Sequence, residues 1–295
     1  MPKPQKQSLA VGGIQLNVFS PVLDPGKAMS RVAVLFLLHG RLFKADSLET
    51  TAANLVEKSE DRRRSTSDVA ALDLVVITFD LRNHGSRMIN PQGNQQWSRK
   101  VNENNPQHAV DMFSIISGTY RDISFLIDFL PSYLFPHGEQ AVERWMLAGI
   151  SLGGHATWYA LQHEPRLSVG IPIVGCPDYL ALMHNRAKAS GLRFGPPILP
   201  DSLLELIRRE SPVSTLVTGK SPFFGKKILV LAGGKDDLVP WVFSESFVER
   251  IEVGEEGVKK VIVYPDIGHV FTASMEEDLA SFVWEEGCCV VATAY

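Results

Sequence analysis

Short apolar runs alternate with longer amphipathic segments along most of this 295-residue chain, and this alternation limits the possible folds more than any other feature. Six runs have the length and composition of buried strands: 32–38 (VAVLFLL), 74–79, 145–150 (WMLAGI), 169–174, 228–232 and 258–264. Helical segments are predicted at 47–58, 111–130, 152–163, 241–250 and 274–286. Strands that alternate with helices form βαβ units, so the sequence predicts an α/β fold with a mostly parallel central sheet covered by helices on both faces.

Three segments depart from this rhythm. Residues 9–21 alternate around a Gly-Gly pair, which predicts an antiparallel hairpin at the sheet edge. Residues 87–108 are polar and longer than an ordinary connection, which indicates a functional or mobile loop. Two helix-like pieces at about 177–222 predict a small helical cap without a core of its own. We therefore expect a single domain over residues 1–295 with a cap-like insertion.

Charge and cysteine content exclude several classes of partner. The 29 basic and 33 acidic residues give a net charge of −4, which lacks the basic field that nucleic-acid binding needs. The basic run at 62–64 is interpreted as a solvated loop. Three cysteines, two of them adjacent, fit neither a disulfide framework nor a structural zinc site. With no long apolar stretch, we expect a soluble cytoplasmic protein without a membrane span, and its oligomeric state stays open.

The segment Gly149-Ile150-Ser151-Leu152-Gly153 follows a predicted strand and precedes the helical pattern LGGHATWYALQH. A serine that projects from a sharp strand-to-helix turn needs small neighbours, because strand and helix approach closely there. The N-terminus of the following helix favours developing negative charge. The context predicts that Ser151 is a nucleophile rather than only a helix cap.

A serine hydroxyl needs a base, and the base needs an acid that orients it. Asp236 lies in LAGGKDDLVP, directly after the predicted strand 228–232. His269 lies in YPDIGHVF, between the last predicted strand and the last predicted helix. The chain order Ser, Asp, His is the one expected for a hydrolase with a nucleophile elbow.

Over about residues 9–286 these motifs resemble the α/β-hydrolase superfamily. Similar proteins carry the acid in a Gly-x-x-Asp-x-x-x-Pro segment, matched by Gly233, Asp236 and Pro240, and the base in a Gly-His pair, matched at His269. They also carry a His-Gly pair after the strand that precedes the first crossover helix, matched at 39–40, and an Asp-x-Arg-x-His-Gly-x-Ser segment after the next strand. Residues 80–87 (DLRNHGSR) match that last pattern except that Arg87 stands where the serine often does, and Ser86 is a candidate to take its place.

Within the superfamily, the SLGGH and GGKDDLVP segments are similar to those of esterases related to prolyl oligopeptidases and dienelactone hydrolases. Dienelactone hydrolases carry a cysteine nucleophile, whereas this chain carries Ser151. In 295 residues we also expect no β-propeller of the kind that gates prolyl oligopeptidases.

Several alternatives remain for the acid and the base. Asp237 adjoins Asp236, although the spacing to the proline favours Asp236. Asp266 lies three positions before His269 and is close enough in sequence to orient it locally. His155 follows the elbow and competes as a base, although a packing role for it is favoured.

The resemblance implies an oxyanion hole made by the backbone N–H groups of Arg41 and Leu152. The side chain of Arg41 either binds an acidic group of the substrate or faces solvent. His39 is usually structural in such loops, and Trp241 is interpreted mainly as an anchor of its helix. The candidate substrate-pocket residues are His39, Trp97, His108, Tyr179, Met183 and Trp241.

The function implied is hydrolysis of a carboxylic ester, lactone or thioester through an acyl-enzyme. An acyltransferase or a peptidase that uses the same triad stays open, and a binding protein on this scaffold is disfavoured because all three triad residues are present. The sequence contains no GxGxxG, P-loop, HExxH or EF-hand pattern, so no cofactor is expected. The apolar composition of the cap predicts a small-molecule substrate with an apolar acyl or aromatic group rather than a highly charged one.

Overall fold

A computed structural model describes residues 3–21, 31–66, 71–138, 141–215 and 221–289, and one eight-stranded sheet forms its centre. The strands are β1 Gln5–Val11, β2 Ile14–Ser20, β3 Arg31–Leu38, β4 Asp73–Phe79, β5 Ala141–Ile150, β6 Leu167–Ile173, β7 Lys227–Gly233 and β8 Val258–Tyr264. The α-helices are α1 Glu49–Thr66, α2 His108–Leu134, α3 Leu152–His163, α4 Tyr179–Ala189, α5 Asp201–Glu210, α6 Val242–Arg250 and α7 Ala273–Phe282. A short π-helical segment, Val283–Cys288, continues α7.

The strand order is β1-β2-β4-β3-β5-β6-β7-β8. The β1–β2 pair is the predicted antiparallel hairpin, β2 runs antiparallel to β4, and the other neighbouring pairs are parallel. Carboxyl ends of parallel strands meet at one edge of the sheet, where open α/β sheets bind their ligands. The loops after β3, β5, β7 and β8 therefore converge there.

Alternate side chains of the central strands enter two separate cores. In β3, Val34 and Phe36 pack on the face covered by α2, whereas Leu35 and Leu37 pack on the face covered by α1 and α7. This two-sided burial confirms the predicted α/β-hydrolase architecture. Strand β8 differs from its prediction as a buried strand: it is partly exposed, because it is the edge strand and pairs only with β7.

The basic run at 62–64 is helical, so its interpretation as a solvated loop is wrong. Helix α1 continues past the predicted end at 58 to Thr66. Arg63 forms an ion pair with the Asp73 carboxylate and donates from Nη2 to the Ala71 carbonyl at 3.0 Å. Arg62 Nη2 donates to Glu277 in α7 at 2.8 Å. These contacts hold the last turns of α1 against β4 and α7.

The predicted insertion contains α4 and α5, with residues 216–220 outside the described part. Its apolar side chains join the core beneath α2, among them Met183 of α4 and Ile207 of α5. Glu210 at the end of α5 accepts hydrogen bonds from Tyr120 Oη at 2.9 Å and Arg121 Nη2 at 3.0 Å in α2. The insertion is therefore packed firmly on the sheet's helical layer. Among the helices that the structure describes, none combines the length and the apolar character needed to cross a membrane.

Candidate active site

Ser151 occupies a sharp turn between β5 and α3. Its φ of 55° and ψ of −109° are rare for a residue with a side chain, and α3 begins at the next residue. A Cβ added to Gly149 would lie 2.2 Å from the Gly153 carbonyl oxygen, and one added to Gly153 would lie 2.7 Å from the Leu38 oxygen. The two glycines of the motif are therefore required by the close approach of α3 to β5 and β3, which makes the serine project from the sheet edge.

Ser151, His269 and Asp236 meet in one hydrogen-bonded row. His269 Nε2 lies 2.8 Å from Ser151 Oγ, and His269 Nδ1 lies 2.7 Å from Asp236 Oδ2. Since an ionised carboxylate only accepts, Nδ1 carries the ring proton and Nε2 is free to accept the serine proton. The Asp236 side chain is buried, and its Oδ1 accepts the backbone N–H groups of Leu238 at 3.0 Å and Val239 at 2.8 Å. The backbone thus fixes the carboxylate that orients the imidazole.

The other candidates for acid and base lie elsewhere. Asp266 is exposed and pairs with Lys235 at 2.6 Å, and Asp237 is exposed. His155 is buried, and its Nδ1 accepts the Cys176 N–H at 2.8 Å. Burial lowers the pKa of His155 to about 3, which keeps the ring neutral. The geometry leaves Asp236 and His269 as the partners of Ser151.

The loop after β3 lies beside Ser151. A Cβ added to Gly40 would lie 3.4 Å from Ser151 Cβ, and both Arg41 and Leu152 line the cavity at the serine. Among the residues described, neither backbone N–H of this pair donates to another protein group. Two free amides beside the serine are what stabilisation of an oxyanion needs.

His39 shapes this loop from beneath. Its Nδ1 donates to the Gly40 carbonyl at 2.8 Å, and its Nε2 accepts the Leu81 N–H at 3.0 Å. Burial lowers the pKa of His39 to about 4, so the ring is neutral as both bonds require. His39 touches the cavity and also holds the turn that places Arg41.

A cavity of about 420 Å³ opens over Ser151 and His269. Its walls are mostly apolar and come from the loop after β3, α2, the ends of β5 and β6, the loop after β7 and the segment after His269: Leu42, Phe43, Leu48, Met112, Ile150, Val174, Leu238, Val270 and Phe271. In the part of the chain that the structure describes, no group of three or more His, Cys, Asp or Glu side chains is placed to hold a metal ion.

Trp97 and His108 are packed behind the cavity rather than on its wall, contrary to prediction. The Trp97 ring meets the His108 ring edge-on at 5.2 Å, and Trp97 Nε1 donates to the Pro106 carbonyl at 3.3 Å. His108 Nδ1 donates to the Gln95 carbonyl at 2.9 Å. Both side chains anchor the 87–108 loop, because their ring N–H groups donate hydrogen bonds to backbone carbonyls of that loop.

Tyr179, Met183 and Trp241 also lie away from the cavity wall, so their prediction as substrate-pocket residues is wrong. The contacts of Trp241 fit the favoured interpretation of this residue as an anchor of its helix. Tyr179 is buried and donates from Oη to the Ala109 carbonyl at 2.6 Å, and Met183 is part of the main core. Trp241 packs at the edge of the α3–α6 core and donates from Nε1 to Glu245 at 3.2 Å. The apolar side chains of α4 therefore pack against α2 and do not form a substrate surface.

Arg186 of α4 lines the cavity, and sequence reasoning missed it. It follows Leu182 by four residues and Met183 by three, which places a cation on the same face of the helix as two core residues. A charged residue on the apolar face of a helix needs a partner or a function. The position of Arg186 on the same face as Leu182 and Met183 could therefore have identified it from the sequence.

The segment 87–108 supports the same wall. Asn94 is buried, and its side chain donates to the Asn83 carbonyl at 2.6 Å and accepts from Asn83 Nδ2 at 3.1 Å. The Asn94 carbonyl accepts from Arg41 Nη1 at 2.6 Å. The long polar loop thus positions the Arg41 side chain through a backbone carbonyl. The composition of the loop alone did not indicate this role.

The curated proteins that match this chain include a putative carboxymethylenebutenolidase of Escherichia coli strain K12, 24% identical over 190 residues. The alignment covers 63% of this chain and 59% of that protein, so the chain spans less than two thirds of the length of this relative.

Solved structures share the fold over nearly the whole length. The Thermus thermophilus protein TT1662 has a TM-score of 0.66 and 18% identity, covering 95% of this chain and 97% of that one. Est1E from Butyrivibrio proteoclasticus, solved with ferulic acid bound, has a TM-score of 0.57 and 15% identity, with coverage of 95% and 97%.

A family model described as the prolyl oligopeptidase family matches residues 131–285. The match covers more than half of the chain and contains Ser151, Asp236 and His269 together with the strands that carry them. The chain, with its α/β-hydrolase fold, therefore belongs to the prolyl oligopeptidase family.

Proposed function

We propose that the protein is a serine hydrolase that cleaves a carboxylic ester, lactone or thioester through an acyl-enzyme. The observation that carries this proposal is the strained Ser151, whose Oγ lies 2.8 Å from His269 Nε2 at the floor of an apolar cavity. Backbone strain of this kind persists only where the surrounding structure enforces it, and it is concentrated at functional sites.

Acylation uses each group that the site brings together. Ser151 Oγ attacks the carbonyl carbon while its proton passes to His269 Nε2, and Asp236 stabilises the imidazolium through Nδ1–H. The negative charge on the carbonyl oxygen is stabilised by the N–H groups of Arg41 and Leu152. The carbon–oxygen bond to the leaving alcohol then breaks, and the alcohol takes the proton from Nε2.

Deacylation repeats the steps with water. A water molecule attacks the acyl carbonyl and gives a proton to His269 Nε2. The bond to Ser151 Oγ breaks, the serine takes that proton, and the carboxylic acid leaves. The triad returns to its starting protonation state, so each turnover consumes one ester and one water.

The cavity supports a small substrate with an apolar part. Its volume of about 420 Å³ falls within the range of small-molecule sites, and its walls are largely aliphatic and aromatic. The name of the Escherichia coli relative, a putative carboxymethylenebutenolidase, favours ester or lactone cleavage. The family description favours a second candidate, cleavage of a peptide bond by the same triad.

Labelling with a fluorophosphonate probe, followed by peptide mass spectrometry, tests the mechanism directly, because only an activated serine reacts readily with the probe. We expect labelling at Ser151 that is lost in Ser151→Ala and strongly reduced in His269→Ala. Labelling of Ser151→Ala to the wild-type extent would contradict the assignment of the nucleophile.

Matched substrates separate the candidate reactions. Each acyl group is offered as an ester, a thioester and an anilide, with product analysis in water and with added alcohol. We expect ester cleavage to acid and alcohol in a Ser151-dependent manner. Faster turnover of the anilides would favour the peptidase, and accumulation of a new ester would favour an acyltransferase.

A further inference from the structure

Two arginine side chains, Arg41 and Arg186, line the same cavity as Ser151 and His269. Among the residues that the structure describes, neither guanidinium forms an ion pair with an Asp or Glu within 4 Å. Arginines that are withdrawn from water are normally paired, because an uncompensated charge is costly there. Two unpaired cations in one apolar cavity therefore need an explanation.

Arg186 reaches only neutral partners. Nη1 lies 3.3 Å from His108 Nε2 and 3.1 Å from Met112 Sδ, and Nη2 donates to the Leu238 carbonyl at 3.4 Å. His108 can accept because its own Nδ1–H is used by the Gln95 carbonyl. The Arg186 Nε atom is buried and has no hydrogen-bond partner. These contacts position the guanidinium but do not neutralise it.

Asp236 and Asp178, two carboxylates of elements near Arg186, are engaged by other groups. Asp236 accepts from His269 and from two backbone N–H groups of its own loop. Asp178 accepts the Ala181 N–H as the N-cap of α4. Burial, followed by the charge of Arg41, lowers the pKa of Arg186 to about 10, so the side chain is still protonated at neutral pH.

Arg41 is held in a comparable way. Its Nη1 donates to the carbonyl of the buried Asn94 at 2.6 Å, and Asn94 is itself fixed by Asn83. This bond leaves most of the guanidinium donors of Arg41 without a protein acceptor among the described residues. The two cations are thus supported by separate elements, the 87–108 loop and α4, although like charges repel each other.

We propose that Arg41 and Arg186 form a subsite for a carboxylate group of the substrate, so that the ester has an apolar body and one negative charge. The proposal rests on the proposed hydrolase function and specifies its substrate class. Guanidinium groups bind carboxylates through paired, charge-assisted hydrogen bonds, which are strong in a site of low dielectric constant. The apolar walls accept the rest of the molecule, so the subsite adds a local charge to the apolar ester that composition alone predicted.

Two matched pairs of esters test the subsite on either side of the scissile bond. On the acyl side, 4-nitrophenyl hemiglutarate is compared with 4-nitrophenyl valerate. On the alcohol side, 4-acetoxybenzoate is compared with its neutral methyl ester. We expect kcat/KM of the wild-type protein to favour the carboxylate member of at least one pair by about tenfold or more.

Variants show whether the preference depends on Arg186. We expect Arg186→Gln to reduce the charged-to-neutral ratio of kcat/KM by about tenfold or more, and Arg186→Lys to restore part of it. Lys188→Gln is the control, since it removes one positive charge from an exposed position of the same helix. The control ratio should equal that of the wild-type protein.

The charged-to-neutral ratio distinguishes a binding role of Arg186 from a structural one. Damage to the site would lower kcat/KM equally for both esters of a pair and leave the ratio unchanged. Turnover of all four esters at similar rates, with no change of ratio in Arg186→Gln, would overturn the subsite and leave the hydrolase function intact. Absence of Ser151-dependent turnover with every ester would overturn the hydrolase function and the subsite together.

Discussion

The chemistry of the site depends on how single atoms of Asp236 are used. Oδ2 faces His269 Nδ1 at 2.7 Å, whereas Oδ1 accepts two backbone N–H groups. One oxygen therefore orients the imidazole, and the other fixes the orientation of the carboxylate. This division also makes Asp236 testable, because an amide can replace one of these functions without the other.

Asp236→Asn should fold normally and lose kcat by about 10³-fold to 10⁴-fold. The amide oxygen can accept the two backbone N–H groups, which leaves the NH₂ group to face His269 Nδ1. The ring then carries its proton on Nε2, where it cannot accept the proton of Ser151. Steady-state kinetics on a responsive ester measures the loss, and Asp237→Asn is the matched control because Asp237 is exposed next to it. A small effect of Asp236→Asn would contradict the orienting role.

The segment 87–108 acts as an element of the site although it contains only short helical turns. Buried Asn94 links it to Asn83 through two hydrogen bonds and to Arg41 through its backbone carbonyl. Asn105 adds bonds to the Gly93 carbonyl at 3.1 Å and to Asp111 at 2.9 Å. A loop whose polar groups are paired internally behaves as a rigid support rather than as a mobile flap.

Asn94→Ala should lower the free energy of unfolding by about 1–3 kcal/mol, because it leaves the Asn83 carbonyl without its partner. We also expect KM to rise, since the anchor of Arg41 shifts with the loop. Chemical denaturation and steady-state kinetics measure the two effects. Asn102→Ala, at an exposed position of the same loop, should change neither quantity. Equal effects of the two substitutions would show that the network does not stiffen the loop.

The folded protein as a whole contains several histidines that burial keeps neutral. The pKa of His39 is lowered to about 4 and those of His108 and His155 to about 3, in each case mainly by burial. Above about pH 6.5 both the folded and the unfolded chain hold these rings neutral. As the pH falls below that value, the unfolded chain binds protons that the folded chain excludes, so stability is lost.

We therefore expect the free energy of unfolding to fall between pH 7 and pH 4, by up to about 1.4 kcal/mol per pH unit for each buried histidine. His155→Asn should make this dependence shallower by one such increment, because the asparagine oxygen can still accept the Cys176 N–H and does not titrate. Urea unfolding at several pH values measures the slope. His184→Asn, at an exposed histidine, is the control. An unchanged slope in His155→Asn would show that burial of this ring does not cause the acid sensitivity.

Local patterns were sufficient for the parts of the molecule that depend on neighbours in the chain. Two-sided apolar runs predicted β3 and β4, and the bounds of α3 agree with the helical pattern at 152–163. The elbow at Ser151 followed from its position between a strand and a helix, because the tight turn requires glycines at defined spacings. Asp236 and His269 followed from loops that end parallel strands, and such loops share one edge of the sheet.

The cavity wall was decided by tertiary structure. Trp97, Tyr179 and Met183 are apolar or aromatic enough for a pocket, yet all three are buried in the protein core. Trp97 and Tyr179 also donate hydrogen bonds to backbone carbonyl groups. Arg41 and Arg186 are 145 positions apart in the sequence and share a cavity only because the fold brings α4 and the loop after β3 to the same edge of the sheet. Periodicity and motif spacing report which face of an element is buried, but what a side chain meets there depends on elements distant in the chain. The sequence therefore determined the fold and the candidate catalytic row, and the packing of distant elements determined the substrate wall.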